Sequence, residues 1–489
     1  MVRNARMNEE NHLKGNRLRC LDRSRKTHAI LVFLVVVPMF WGTANKESSA
    51  EPQRSRLAPL LYQNLPSRVP NEYIVVFKPG TPRDVVQAVQ GLVIRRGRTI
   101  KHVYSVVLIG FSCTLSVDVV HALRAEPSVA SVSSVQNGFS DAVQQLDPPP
   151  NPRPNWPAHN WPKGLDRTSE RGIPLDGKYT YSETGTSVHA YVIDTGILAS
   201  HEEFGGRVSD GRNVASNNND TSDCNGHGTH MAGTIGGVTV GIAKQVILHP
   251  IRATNCESPH TTSNYIAAID WVTNHIMTKG YVGKAVVNFS NSWDYIDTNL
   301  NDAVRTSIAS GITYVISAGN RNQDACGWSP SSINAVSGAP KPIVVGAVNP
   351  MNDTRWVDEG NPNLASNTGV CLNLFAPGAG IVSAWKGNNV DYHVLSGTSS
   401  AAAHVTGVVA RILDVHVGIT LSPEQVWRKL HDANNVCPTP CSPQPEQWQG
   451  VMEPRTKRPI TGSPNELLHY GLHKNLIPPP APNNLTVSE

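Results

Sequence analysis

Three short runs in this chain hold an acid, a base and a nucleophile, each within two residues of a glycine. They are Val192-Ile193-Asp194-Thr195-Gly196, Gly226-His227-Gly228-Thr229-His230 and Ser396-Gly397-Thr398-Ser399. A carboxylate, an imidazole and a hydroxyl together suit acyl transfer. A serine hydroxyl is a weak nucleophile at neutral pH, so it needs a base in hydrogen-bond reach, and the base needs a third group to fix its tautomer. The set therefore assigns Ser399 as nucleophile, His227 as general base and acid, and Asp194 as the orienting carboxylate. Each run alone is weak. Asp-Thr-Gly reads as a turn, and Gly-Thr-Ser as the start of a helix. His227 and His230 stand three apart, but no acidic residue sits at ligand spacing to make them a metal loop. The ordered conjunction decides for catalysis, and leaves His230 and His404 as helix or core histidines.

The surrounding sequence supplies elements to position these groups. From Ser187 onward, strands and helices alternate. Val188–Ile193 reads as a strand ending at Asp194. Val246–Ile251, Ala285–Phe289 and Ile312–Ile316 read as further strands. Ile266, Ile269, Val272 and Ile276 share one helical face. Asp302–Ala309 and Thr398–Leu413 read as helices, and Ser422-Pro423-Glu424-Gln425 as the capping box of another, running to about Ala433. Near-continuous apolar strands between helices predict an α/β fold with a mostly parallel sheet covered on both faces. Sites in such sheets gather at the carboxyl ends of the strands, where Asp194 stands and Asn320 follows. A nucleophile at a helix start meets free N–H groups and a partial positive charge. Before this region, residues 72–136 read as β-α-β-β-α-β, a small ferredoxin-like α+β domain. Within it Pro82–Leu92 is a helix, and Gly110 breaks the stretch from Val103 to Leu115. Residues 146–161 are rich in Pro and Asn and form a linker.

Composition narrows the class. The chain has 489 residues, 16% charged, with a net charge of +4. That excess is too small for a nucleic-acid or membrane surface. Residues 1–44 read as a secretory signal: a basic stretch, the apolar run Ala29–Trp41, and small residues at Gly42-Thr43-Ala44. Secretion to an extracellular, oxidising setting permits disulfides. Cys20 precedes the cleavage site and Cys113 lies in the 72–136 unit. The six others, Cys224, Cys256, Cys326, Cys371, Cys437 and Cys441, allow fifteen pairings that spacing alone does not resolve.

Residues 162–472 resemble a subtilisin-like serine protease (peptidase S8) of the proteinase K branch. The matching stretches are Gly164-Leu165-Asp166-Arg167, Ala190 to Ile197, Asp223 to His230, Phe375-Ala376-Pro377-Gly378, Ser396 to Ser399 with Ala402-Ala403-His404-Val405, and Gly462 to Leu468. Residues 72–136 resemble that family's inhibitory propeptide. The resemblance implies a three-layer subtilisin-like fold and a secreted endopeptidase made as a zymogen, monomeric, with protein or peptide substrates. It implies maturation between about Asn137 and Pro150, with residues 473–489 left as a tail. No cofactor is implied for catalysis. Its Ala-Gly-Asn motif is Ala318-Gly319-Asn320, which makes Asn320 an oxyanion donor alongside the Ser399 N–H. It implies disulfides Cys224–Cys256 and Cys326–Cys371, and leaves Cys437 to Cys441. Its substrate-flanking strand is Ser290-Asn291-Ser292-Trp293, and Ser317, Ala318 and Gly319 form the other pocket wall.

Departures from the family pattern qualify the reading. Ser400 replaces Met and Ala403 replaces Pro behind the nucleophile. Ser292 replaces a glycine, which predicts a narrower strand-pairing groove. On the far side of the cleft, Glu257-Ser258-Pro259-His260 replaces a glycine-rich strand. The neutral stretches 290–292 and 317–319 predict apolar or aromatic side chains before the cut. Asn373 replaces an aspartate, so a structural calcium site expected in the family is weakened here. Two other functions fit the same residues: a binding or decoy protein that keeps the fold without turnover, and an esterase using the same triad.

Overall fold

The computed structural model describes residues 57–140, 143–144, 162–170, 173–254, 260–435, 463 and 467–470. The proposed signal, the 146–161 linker, the tail and Cys437 and Cys441 lie outside the described residues.

The larger body is built on a sheet in the order 354–355, 343–349, 313–317, 285–289, 189–194, 247–252, 212–213, with 374–377 also pairing 343–349. The pairs are parallel, apart from the short strand Thr354–Arg355. Side chains alternate across a strand, and both faces are apolar. Ala190, Val192, Val286 and Val315 face one core with the helices His227–Gly236 and Thr398–Val415. Tyr191, Ile193, Val287 and Ile316 face another, under Thr262–Lys279 and Thr298–Ala309. This is the α/β layering expected of continuous apolar strands. The last helix, Pro423–Asn435, opens on a reciprocal box: Gln425 N donates to Ser422 Oγ at 3.2 Å, and Ser422 N to Gln425 Oε1 at 2.8 Å.

The N-terminal body has strands Arg68–Phe77, Ile100–Tyr104, Gly110–Thr114 and Val129–Ser140, and helices Arg83–Arg95 and Val117–Ala125. The β-α-β-β-α-β order stands. Gly110 does not break a stretch; it opens a strand. A Cβ there would meet the Val75 carbonyl oxygen at 2.4 Å, so the strand needs glycine to approach its neighbour. Tyr73, Val75 and Phe77 fill this body's own core. Ile74, Tyr104 and Val135, on the opposite face, pack with Tyr265 and Ile266 of the helix Thr262–Lys279. That helix also offers Asp270, which accepts from Val106 N at 2.7 Å and Val107 N at 2.9 Å. Tyr104 donates to the Ser263 carbonyl, and Asn299 Nδ2 to Ser133 Oγ at 2.7 Å. The two bodies therefore share a packed, hydrogen-bonded face.

Candidate active site

Asp194 ends its strand and is fully buried. Its Oδ1 accepts from Thr195 N at 2.8 Å and from His227 Nδ1 at 2.7 Å. His227 therefore carries its proton on Nδ1, which leaves Nε2 as the basic nitrogen. Close packing sets this geometry. Gly226, the residue before the helix, has φ +111°, and a Cβ there would strike the Trp385 ring at 2.5 Å. A Cβ on Gly228 would lie 2.1 Å from the Gly196 carbonyl oxygen, so the helix start presses directly on the turn after Asp194.

One carboxylate given no role from sequence joins these two pieces. Asp223 Oδ1 accepts from Thr195 Oγ1 at 2.8 Å, Asn225 N at 2.9 Å and Gly226 N at 2.8 Å. Its Oδ2 accepts from Thr229 N and Thr229 Oγ1 at 2.8 and 2.6 Å. Thr195 Oγ1 accepts in turn from Gly228 N at 2.9 Å. An acid four residues before His227, at a helix N-terminus, was the available signal.

Ser399 lies in the first turn of the helix Thr398–Val415 and is fully buried. Its Oγ donates to the Ser290 carbonyl at 3.2 Å, so the hydroxyl is turned toward Ser290 in this state. Ser290 Oγ accepts from Asn288 Nδ2 at 2.8 Å, and Asn288 Oδ1 accepts from Thr406 Oγ1 at 3.0 Å. The nucleophile's helix is thus stitched to the strand Ala285–Phe289. Asn320 Oδ1 accepts from Thr398 N at 3.0 Å and Thr398 Oγ1 at 2.9 Å. Those bonds fix the carboxamide with its Nδ2 donor end away from Thr398. The Thr398 hydroxyl also receives Gly319 N at 3.1 Å, which ties the 317–319 wall to the same turn. Ser290, Asn291, Ser292, Ser317 and Ala318 are all fully buried.

The cleft holds the chain's own N-terminal body. The strand Val129–Ser140 runs out of its sheet and pairs antiparallel on both sides. Gly138 pairs with His260 and Asn137 with Thr261; Ser140 pairs with Asn291 and Phe139 with Ser292. Val143 and Gln144 then pair with Ser396 and Leu395, just before the nucleophile. Ser292 does not keep a strand out: its backbone makes the ladder with the side chain in place. His260 stands on the cleft wall opposite Gly138, on the side where the resemblance put it. Burial pushes its pKa down to about 4, so it stands neutral on the cleft wall.

The subtilase family model matches residues 185–452. The chain is 40% identical over 394 residues to an extracellular serine proteinase of a Thermus strain, covering 76% of this chain and 87% of that protein. The chain belongs to the subtilase family. It is 38% identical over 317 residues to alkaline serine exoprotease A of Vibrio alginolyticus, covering 65% of this chain and 53% of that protein. The crystal structure of a cold-adapted subtilisin-like serine proteinase superposes with a TM-score of 0.52 at 37% identity, covering 64% of this chain and 99% of that one. This subtilase is a serine protease with the three-layer fold of its relatives.

The other expected residues fall outside the reacting centre. His230 Nε2 bonds the Ile381 carbonyl at 3.0 Å and His404 Nδ1 the Ser400 carbonyl at 2.8 Å. Burial lowers their pKa values to about 3 and about 4. Cys326 and Cys371 are bonded. Cys224 is also disulfide-bonded; its partner, expected to be Cys256, lies outside the described residues. Asn373 Oδ1 accepts from Asn334 Nδ2 and from Val344 N, both at 2.8 Å. Two N–H donors at that oxygen do not fit a cation, so no calcium role is derived for it.

Proposed function

We propose that this chain is a secreted zymogen of a serine endopeptidase, with Asp194, His227 and Ser399 as its catalytic triad. Residues 72–136 are the inhibitory propeptide, and 162–472 the catalytic domain. The carrying observation is the strand Val129–Ser140 inserted between His260–Thr261 and Asn291–Ser292. A cleft that pairs both edges of an extended backbone is built for a peptide, since main-chain hydrogen bonds give affinity with any sequence. This favours peptide over small-ester hydrolysis. It also makes the N-terminal body an inhibitor, because the pairing positions are filled.

Turnover follows from the same contacts. The Ser399 hydroxyl turns from Ser290 to His227 Nε2 and attacks the scissile carbonyl. His227 takes the proton and later gives it to the leaving amine, while Asp194 holds the Nδ1–H and stabilises the imidazolium. The Ser399 N–H and Asn320 Nδ2 receive the oxyanion. Water then hydrolyses the acyl-enzyme, and no cofactor takes part. Secretion is supported by the signal-like sequence and by a relative described as extracellular.

The test is labelling with a serine-reactive fluorophosphonate, followed by casein and ester assays. The matured protein should be labelled at Ser399 and cleave casein. Ser399→Ala should lose both while keeping the parent's circular dichroism. Casein cleavage by Ser399→Ala near the parent rate would remove the assignment.

A further inference from the structure

The walls beside the cleft strand differ sharply from one position to the next. At Gly138, opposite His260, a Cβ would stand 2.3 Å from Trp293 Cε2 and 2.5 Å from Nε1. The backbone there is not left-handed, so it is space rather than conformation that calls for glycine. Trp293 has little freedom to yield. It is fully buried, packs edge-on to Tyr265 with centroids 5.0 Å apart, and exchanges backbone hydrogen bonds with Ser329 at 3.0 Å in both directions.

The next position is the reverse. The Phe139 ring lies under the Arg321 guanidinium, 4.9 Å from centroid to Cζ, with Trp328 tilted against it at 6.4 Å. A guanidinium over a ring face is attractive through the ring's quadrupole. The Arg321 backbone and the Trp328 ring are fixed, while the guanidinium itself is exposed. Arg321 N donates to Asn367 Oδ1 at 3.0 Å, and Asn367 Nδ2 donates to the Ala318 carbonyl at 2.9 Å. Trp328 is buried, with Nε1 donating to Gln323 Oε1 at 2.9 Å, two residues from the Cys326–Cys371 bond. Arg321 directly follows Asn320, so this wall is continuous with the oxyanion turn.

We propose that Trp293, Arg321 and Trp328 make the cleft select extended peptides bearing glycine followed by an aromatic residue, glycine opposite His260 and the aromatic opposite Ser292. This rests on the peptidase reading. It differs from the expectation drawn from residues 290–292 and 317–319, which concerned only the side chain at the cut.

The test uses the processed protein and synthetic peptides spanning Ser134–Gln145, so that the register is the chain's own. Replacing glycine 138 of the peptide by valine should lower kcat/KM about tenfold or more, the scale of overpacking a rigid wall. Replacing phenylalanine 139 by alanine should lower it about fivefold, the scale of one cation–π contact. Arg321→Ala should bring the phenylalanine-to-alanine ratio close to one, and Arg321→Lys should keep part of it. Trp293→Phe, with a smaller ring, should narrow the gap between the glycine peptide and its alanine counterpart. Equal cleavage of all peptides by the parent overturns the proposal. Cleavage of casein but of none of the peptides overturns it also, while failure on both removes the peptidase reading beneath it.

Discussion

Asp223 shows how few groups need hold a reactive geometry. Its two oxygens receive five donors, from the turn that follows Asp194 and from the loop and first turn around His227. Asn320 is held as firmly on the other side of the cleft, with Oδ1 committed to Thr398. Asn320→Ala should therefore lower kcat by about a hundred- to a thousandfold with KM little changed. That is the magnitude typical for loss of one oxyanion donor, subtilisin's own asparagine included. Steady-state kinetics on one peptide checks it; an unchanged kcat would take Asn320 out of the mechanism. Ser400 is the opposite case. It is fully buried, and its hydroxyl finds no hydrogen-bond partner among the described residues. Ser400→Ala should then stabilise the protein by about 1 kcal/mol, read as a rise in Tm. A fall in Tm would mean that the hydroxyl has a partner after all.

The helices that carry His227 and Ser399 also bury histidines that the chemistry does not use. Burial holds His404 down at about 4 and His230 at about 3, against an unfolded value of 6.5. Between those values the unfolded chain binds protons that the folded chain refuses. Stability is therefore complete above about pH 6.5 and falls as pH drops toward about 4. Tm measured from pH 8 to pH 4 should decline through that window, and His404→Gln should flatten part of the slope. A flat profile would contradict neutral burial. The elements themselves were largely legible. The strand ending at Asp194, the helix behind Gly226 and the Ser422–Gln425 box follow from apolar runs and capping chemistry. The strands Ile343–Asn349 and Leu374–Pro377 were not read, because Gly346 and Pro377 look like interruptions when the tertiary partner is unseen. The pairs at 260–261 and 291–292 carry no strand signal in their residue pattern, and only the family resemblance pointed to strands there: each is two residues long and pairs with residues 137–140. The catalytic groups were legible because their chemistry restricts residue type. Asp223 and Trp293 had no visible role because theirs depends on distant neighbours.

At the scale of the whole chain, the N-terminal body docks through Asp270 and the helix Thr262–Lys279, then threads its last strand through the cleft. That threading limits where the chain is first cut. Ser140 is still paired with Asn291, and Val143 is already paired with Ser396, three residues before the nucleophile. We therefore expect the first cut between these anchors, a much shorter interval than the one from Asn137 to Pro150 expected from the family resemblance. The most direct measurement is N-terminal sequencing of the secreted parent alongside Ser399→Ala. The parent should begin at residue 141, 142 or 143, and Ser399→Ala should retain the N-terminal body in one uncut chain. A parent that starts elsewhere, or a Ser399→Ala protein cut at the same bond, would contradict self-processing by this triad.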